Sequence, residues 1–221
     1  MKQADFVCFS VISRPASPTP SPGKSSLPPA VVVNDGGMKT ALFVVGSFRA
    51  RSFNRQLARE AEALLAPRCK VEWLDFAGVP FMNQDLENPP PPAVAAARAT
   101  VRAADGIWFF TPEYNYSYPG LLKNLLDWLS RPADPADRTS PSVLAGKKCT
   151  VSGVGGSNAT ADSRAKLADL LAFVKMEQLR TPECGFSVAP SSWTTDDLAL
   201  SPDQRAALSA QAQAFADFIG A

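Results

Sequence analysis

The sequence predicts an α/β domain built as a three-layer sandwich around a parallel β-sheet. Short apolar runs alternate with helical patterns about five times along the chain. This alternation indicates parallel strands, because parallel neighbours must be joined by helical crossovers. Polar or glycine-rich loops follow three of the apolar runs. Loops in that position are typical of the carboxyl edge of an open sheet, where ligands bind.

The individual elements follow from apolar spacing. Strands are predicted at residues 41–45, 71–76, 106–111 and 148–152, and a less marked fifth strand lies between residues 177 and 188. Helices are predicted at residues 55–65, 93–104, 119–129 and 162–174, where apolar residues recur at helical spacing. The last helix has a capping-box signature, with Ser201 as N-cap, Pro202 at the first position and Gln204 three residues after the cap.

Residues 1–37 differ from the rest of the chain. The Pro/Ser/Gly-rich tract at residues 15–29 is poor in apolar side chains and predicts a disordered N-terminal extension. The globular domain is therefore predicted at residues 38–221. No apolar run approaches the length of a transmembrane helix, so we expect no membrane partner.

Composition excludes several functional classes. The net charge of +1 gives no field for a nucleic-acid partner. The four cysteines lie far apart, which indicates reduced thiols of a cytoplasmic protein and not a disulfide framework. The chain has no histidine, which removes histidine-dependent triads and the commonest metal ligand. We therefore predict no metal site, and we expect a bound cofactor to carry the chemistry.

The first candidate loop, residues 46–55, follows the first strand. It offers two serines, one asparagine and three arginines just before a helix. A helix N-terminus with such side chains can bind a phosphate group. Its single glycine departs from the dinucleotide fingerprint and favours the phosphate of a mononucleotide. An ordinary helix cap at Ser52 or Asn54, with solvated arginines, is the alternative.

The second and third candidate loops follow the third and fourth strands. Residues 111–120 contain all three tyrosines of the chain, which suits a flat, partly polar ring. The alternative is a connection whose aromatic rings cover the core. Residues 152–158 contain three glycines within four positions, which permits close backbone approach to a planar ligand.

Two motifs resemble one known family. They are Gly46-Ser-x-Arg-x-x-Ser-x-Asn54 and Pro112-Glu-Tyr-Asn-x-Ser-x-Pro-Gly-x-Leu-Lys-Asn-x-x-Asp-Trp128. Together they resemble the NADPH-dependent FMN reductases of flavodoxin-like fold, a family that includes quinone, chromate and azo-dye reductases. The resemblance extends from about residue 38 to near the end of the chain, and it does not include residues 1–37.

The resemblance implies a five-stranded parallel sheet in the order 2-1-3-4-5, with FMN bound non-covalently at its edge. It assigns the FMN phosphate to four side chains of the first loop: Ser47, Arg49, Ser52 and Asn54. It assigns the isoalloxazine ring to residues of the second and third loops: Pro112, Glu113, Tyr114, Asn115, Gly153 and Gly155. It implies no catalytic side chain. Tyr116 stands where relatives often have a basic or small residue.

The implied activity is a ping-pong transfer from NAD(P)H through FMN to a quinone, azo dye, metal oxyanion or flavin. The implied assembly is a homodimer or homotetramer, with helix 119–129 and loop 81–92 near the partner subunit. Two alternatives are a flavodoxin-type electron carrier and a non-catalytic flavin-binding module. Flavodoxins are usually strongly acidic, so the near-neutral charge disfavours the carrier.

Overall fold

The computed structural model describes residues 37–134 and 136–221. Its strands are β1 (Thr40–Val45), β2 (Lys70–Trp73), β3 (Gly106–Phe110), β4 (Lys148–Gly155), β5 (Glu177–Gln178) and β6 (Cys184–Ser187). Its helices are α1 (Phe53–Leu65), α2 (Pro92–Ala103), α3 (Gly120–Leu129), α4 (Ala161–Phe173), α5 (Pro190–Thr195) and α6 (Pro202–Ile219), with a short 3-10 helix at Gln84–Leu86. The N-terminal extension lies outside the described residues except for Gly37, so its predicted disorder and the domain boundary at residue 38 stay predictions.

The sheet is parallel at every pairing, and its strand order is β2-β1-β3-β4-β5, with β6 also paired to β4. The predicted fold class and the order 2-1-3-4-5 are therefore confirmed. β1 and β3 are central strands, so the loops that follow them meet at one edge of the sheet. That edge is the topological switch point at which ligands of this kind of sheet bind.

Helices cover both faces of the sheet. Phe43 and Trp108 point to the face that packs against α1 and α6, whereas Leu42 and Ile107 point to the face covered by α2, α3 and α4. Because successive side chains of a strand alternate between faces, this double cover explains why β1 and β3 are continuous apolar runs. Both central strands are almost fully buried, which gives the loops at their ends a rigid base.

The fifth strand is divided into two segments. β5 pairs with the first two residues of β4, and β6 pairs with its last four. In the gap, the buried side chain of Gln211 from α6 donates to the Val151 carbonyl at 3.0 Å and to the Thr150 hydroxyl at 2.8 Å. Its carbonyl oxygen accepts from the Ser152 hydroxyl at 2.7 Å. The side-chain amide of α6 thus supplies hydrogen bonds to Thr150 and Val151, the two residues of β4 that pair with neither β5 nor β6.

Three details depart from the sequence prediction, and one agrees with it. β2 ends at Trp73, three residues before the predicted end at residue 76. β4 continues three residues beyond the predicted end at residue 152, because β6 pairs with it as far as Gly155. The short helix α5 was not predicted. The predicted start of α6 is confirmed, since Ser201 and Gln204 form a reciprocal capping box.

The three described cysteines are free and buried. Burial raises the pKa of Cys149 and of Cys184 to about 12, so both thiols stay protonated and unreactive at neutral pH. Within residues 37–134 and 136–221, no cluster of acidic, cysteine or histidine side chains could hold a metal ion. In the same part of the chain, no helix is both long enough and apolar enough to cross a membrane.

Candidate functional site

The three candidate loops lie together at the carboxyl edge of the sheet and are joined by hydrogen bonds. Gly46, the first residue after β1, donates its N–H to the Phe110 carbonyl at the end of β3, at 2.8 Å. Thr111 in turn donates its N–H to the Ser152 carbonyl of β4, at 2.9 Å. The predicted residues of all three loops therefore belong to one continuous region.

The loop after β1 presents an uncapped helix. Ser47 and Ser52 are both buried beside it. No described side chain caps the start of α1, although Ser52 holds the N-cap position, and the first turn contains no acidic residue. The first N–H groups of a helix have no partner within the helix, so this end of α1 can accept an anion. The alternative of an ordinary side-chain cap by Ser52 does not describe this loop.

Asn54 holds the start of α1 against the sheet. Its amide nitrogen donates to the Val154 carbonyl at 2.8 Å, and its amide oxygen accepts from the Val154 N–H at 3.0 Å. The side chain is almost fully buried. Asn54 thus acts on this region by fixing the distance between α1 and the end of β4.

Arg49 lies at the surface of the same loop. Its two terminal nitrogens donate to the two carboxylate oxygens of Asp196, at 2.9 and 2.6 Å. The guanidinium carbon also lies 5.6 Å from the centre of the Phe53 ring. Asp196 follows α5 and is separated from Arg49 by 147 positions. Nothing in the sequence pattern marked Asp196, because the pairing exists only after the chain has folded.

The tyrosine loop contains a tight two-residue turn. Tyr114 and Ser117 exchange backbone hydrogen bonds at 2.9 and 3.1 Å, and the two residues between them, Asn115 and Tyr116, both have positive φ angles. Lys166 of α4 donates to the Tyr116 carbonyl at 2.6 Å and holds the turn from outside. The turn therefore has a fixed shape although its tip is exposed.

The aromatic rings of this loop divide into two groups. Tyr114 and Tyr116 are exposed, whereas Tyr118 is partly buried and packs on the core beneath α2 and α3. The interpretation that the tyrosines only cover the core therefore holds for Tyr118 alone. Tyr114 and Tyr116 leave an open aromatic surface beside the end of β3.

Glu113 joins the second loop to the third. One carboxylate oxygen accepts from the Asn158 side chain at 2.5 Å, and the other accepts from the Ser163 N–H at 3.1 Å. Ser163 also donates its hydroxyl to the Pro112 carbonyl, at 2.8 Å. Because Ser163 lies in the first turn of α4, the helix dipole stabilises the carboxylate there. Ser163 was missed from sequence because a serine within a helix carries no signal of its own.

Gly153 and Gly155 were expected in the loop after the fourth strand, and that placement was wrong. Both residues lie in the last part of β4, and only Gly156 begins the loop. A Cβ atom on Gly153 would lie 2.5 Å from the Thr111 carbonyl oxygen and would overlap the side chain of Thr160. The absence of side chains at these positions is thus required for packing between β3, β4 and the buried Thr160.

An apolar groove of about 510 Å³ lies next to the first two loops. It is lined by Phe48, Phe76 and Leu121 among others, and Phe81 at its rim is 88% exposed. The residues on either side of Phe81 are hydrogen-bonded to α3, which fixes the backbone that carries its exposed side chain. The Pro80 carbonyl accepts from the Trp128 indole at 2.8 Å, and the Met82 N–H donates to Asn124 at 2.7 Å.

Comparisons with known proteins agree with this geometry. The chain is 34% identical over 174 residues to an NAD(P)H-dependent FMN reductase of Pseudomonas aeruginosa, across 78% of this chain and 91% of that protein. It is 36% identical over 141 residues to a 2-hydroxy-1,4-benzoquinone reductase of a Burkholderia species, across 63% of this chain and 74% of that protein.

A solved structure is also similar. The flavoenzyme NAD(P)H:(acceptor) oxidoreductase of Paracoccus denitrificans superposes with a TM-score of 0.72 at 28% identity, across 82% of this chain and 97% of that one. Residues 38–190 match the family model described as NADPH-dependent FMN reductase. That span holds the uncapped start of α1, the exposed tyrosine turn and the end of β4, and the chain accordingly belongs to the NADPH-dependent FMN reductase family of FMN-containing oxidoreductases.

Proposed function

We propose that this chain is an enzyme that binds FMN at the three loops and uses NAD(P)H to reduce a small quinone. The observation that carries the proposal is the pairing of an uncapped helix start at α1 with an open aromatic turn after β3. The first suits the phosphate of FMN, and the second suits its ring. When bound, FMN supplies the hydride and electron chemistry that the side chains lack.

The described residues fit FMN in defined roles. Ser47, Arg49 and Ser52 would contact the phosphate, and Asn54 would keep α1 in place beneath it. The ring would lie along residues Pro112, Glu113, Tyr114 and Asn115, with Gly153 and Gly155 behind it. Glu113 is already bonded to Asn158 and Ser163, so its proposed part is to hold the backbone of this edge in shape.

The proposed cycle is of the ping-pong type. Tyr114 and Tyr116 are exposed at this edge, and NAD(P)H and the acceptor would approach the flavin there in turn. A quinone is favoured as acceptor because two relatives are named for quinone reduction, those of Burkholderia and Solanum tuberosum, which are 36% and 35% identical to this chain. Azo dyes, metal oxyanions and free flavin are the further acceptors that such an open site admits.

The proposal is tested by the visible spectrum of the purified protein. We expect the protein loaded with FMN to lose its flavin absorbance rapidly on anaerobic addition of NADPH and to regain it when a benzoquinone is added. A protein that takes up no FMN would contradict the proposal. Accumulation of a flavin radical with slow NADPH oxidation would instead support the electron carrier, and bound FMN that NADPH does not reduce would support the non-catalytic module.

We also propose that two copies of the chain associate through the apolar groove, as a homodimer or as a pair of homodimers. The support is the exposed Phe81, which is held rigidly beside Phe48 and Leu121 by the hydrogen bonds to α3. Exposed apolar surface of this kind is typical of protein interfaces. The proposed compartment is the cytoplasm, where the free thiols of Cys69, Cys149 and Cys184 would stay reduced.

Replacing Phe81 with serine is expected to shift the protein towards the monomer, because the change removes the most exposed apolar side chain of the groove. Sedimentation velocity at micromolar concentration measures the shift. Phe173→Ser is the matched control, since Phe173 is similarly exposed but lies at the far end of α4. A wild-type protein that sediments as a monomer would refute the proposed association.

A further inference from the structure

Asp196 forms an ion pair with Arg49, the arginine that the proposed function assigns to the FMN phosphate. Its carboxylate accepts from both terminal nitrogens of Arg49, and one oxygen also accepts from the Arg51 side chain at 3.0 Å. Arg51 makes a further ion pair with Asp197, at 2.7 Å. Two of the three arginines of this loop are thus paired with two carboxylates from the segment that follows α5.

Hydrogen bonds fix the backbone around Asp196, so the folded chain places its carboxylate beside Arg49. Gln56 of α1 donates its amide nitrogen to the Asp196 carbonyl at 3.0 Å and accepts from the Leu198 N–H at 2.7 Å. The Asp196 N–H donates to the Ser192 carbonyl at 2.8 Å. Trp193 of α5 packs edge-on against Phe53, with ring centres 5.3 Å apart. With the backbone fixed in this way, rotation of the Asp196 or the Arg49 side chain is enough to separate the pair.

A carboxylate and a phosphate bind a guanidinium in the same way, through two parallel hydrogen bonds. A phosphate at the start of α1 would therefore need the nitrogens that Asp196 already uses. We propose that Asp196 competes with the FMN phosphate for Arg49 and so keeps FMN exchangeable. This inference rests on the proposed function. Asp196 lies beyond residue 190, where the match to the family model ends, so the competing group comes from outside the matched segment.

The proposal is tested by Asp196→Asn, with the FMN dissociation constant measured from the quenching of flavin fluorescence. Both side chains of the pair are partly exposed, and exposed ion pairs contribute little, so we expect FMN to bind about two- to fivefold more tightly to the variant. Riboflavin, which lacks the phosphate, is expected to bind the variant and the wild type equally. The dissociation rate of FMN should fall by a similar factor.

Asp197→Asn is the matched control, because it removes the same charge from the same segment and Asp197 contacts Arg51 but not Arg49. It is expected to leave FMN affinity close to that of the wild type. An equal gain in Asp197→Asn, or an equal gain for riboflavin, would show a general charge effect and overturn the competition. Weaker FMN binding in Asp196→Asn would also overturn it, since Asp196 would then position Arg49 and not compete for it.

The double variant Arg49→Ala with Asp196→Asn separates this inference from the proposed function. If Arg49 binds the phosphate, Arg49→Ala weakens FMN binding and the gain from Asp196→Asn disappears in the double variant. If Arg49→Ala leaves FMN affinity unchanged, the phosphate assignment itself fails. If Arg49→Ala weakens FMN binding but Asp196→Asn still tightens it in the double variant, Arg49 binds the phosphate and Asp196 does not compete for it.

Discussion

Arg49→Ala is expected to weaken FMN binding about tenfold or more. Hydrogen bonds to a charged group contribute about 1.5–3 kcal/mol, and 1.4 kcal/mol corresponds to a factor of ten. The competing pair with Asp196 keeps the expected loss near the lower end of this range. Because Arg49 is proposed to hold the phosphate and not the reacting ring, turnover of the variant saturated with FMN should change much less than its affinity.

The measurement is a fluorescence titration with FMN, together with the flavin content of the purified protein and the turnover at saturating FMN. Arg205→Ala is the matched control, because Arg205 is as exposed as Arg49 and is also paired with a carboxylate, that of Glu60. Arg205 lies on α6 and belongs to none of the three loops. Unchanged flavin content in Arg49→Ala would count against the phosphate assignment.

Gly153→Ala is expected to lower the free energy of unfolding by about 3 kcal/mol, the upper part of the range for overpacked cores. The added methyl group would lie 2.5 Å from the Thr111 carbonyl oxygen, which belongs to the backbone and cannot turn away. It would also meet the side chain of Thr160, which is fully buried. Room for the methyl group can therefore come only from a shift of β4 relative to β3.

Urea unfolding of the protein without FMN measures this effect apart from any effect on cofactor binding. Gly156→Ala is the control, since a methyl group there meets no atom within 4 Å. We expect this control to change the free energy of unfolding by no more than about 0.5 kcal/mol. If Gly153→Ala unfolds at the same urea concentration as the wild type, the close packing described at the end of β4 is wrong.

Much of the fold could be predicted because a strand that is buried on both faces has a continuous apolar sequence. β1 and β3 are continuous apolar runs, and the start of α6 has its own capping signature. The end of β4 has no such sequence. Its last residues are Ser152, Gly153, Val154 and Gly155, which resemble a loop until β6 pairs with them.

The candidate site shows the same division. The two motifs after β1 and β3 are local in sequence, so their residues could be proposed before the structure was known. Asp196 and Ser163 could not be found in this way, because each acts through a tertiary contact with a distant loop. The role of Glu113 in joining two loops could not be predicted from the sequence either, since a carboxylate in a loop has many possible partners.

The amide of Gln211 has a consequence for the order in which the sheet is completed. The hydrogen bonds that Gln211 gives to Val151 and Thr150 come from α6, which follows every strand in the chain. During synthesis, β1 to β6 leave the ribosome before this helix does. Until α6 docks, the middle of β4 lacks these partners, so the sheet that carries the three candidate loops is completed by a helix that follows all six described strands.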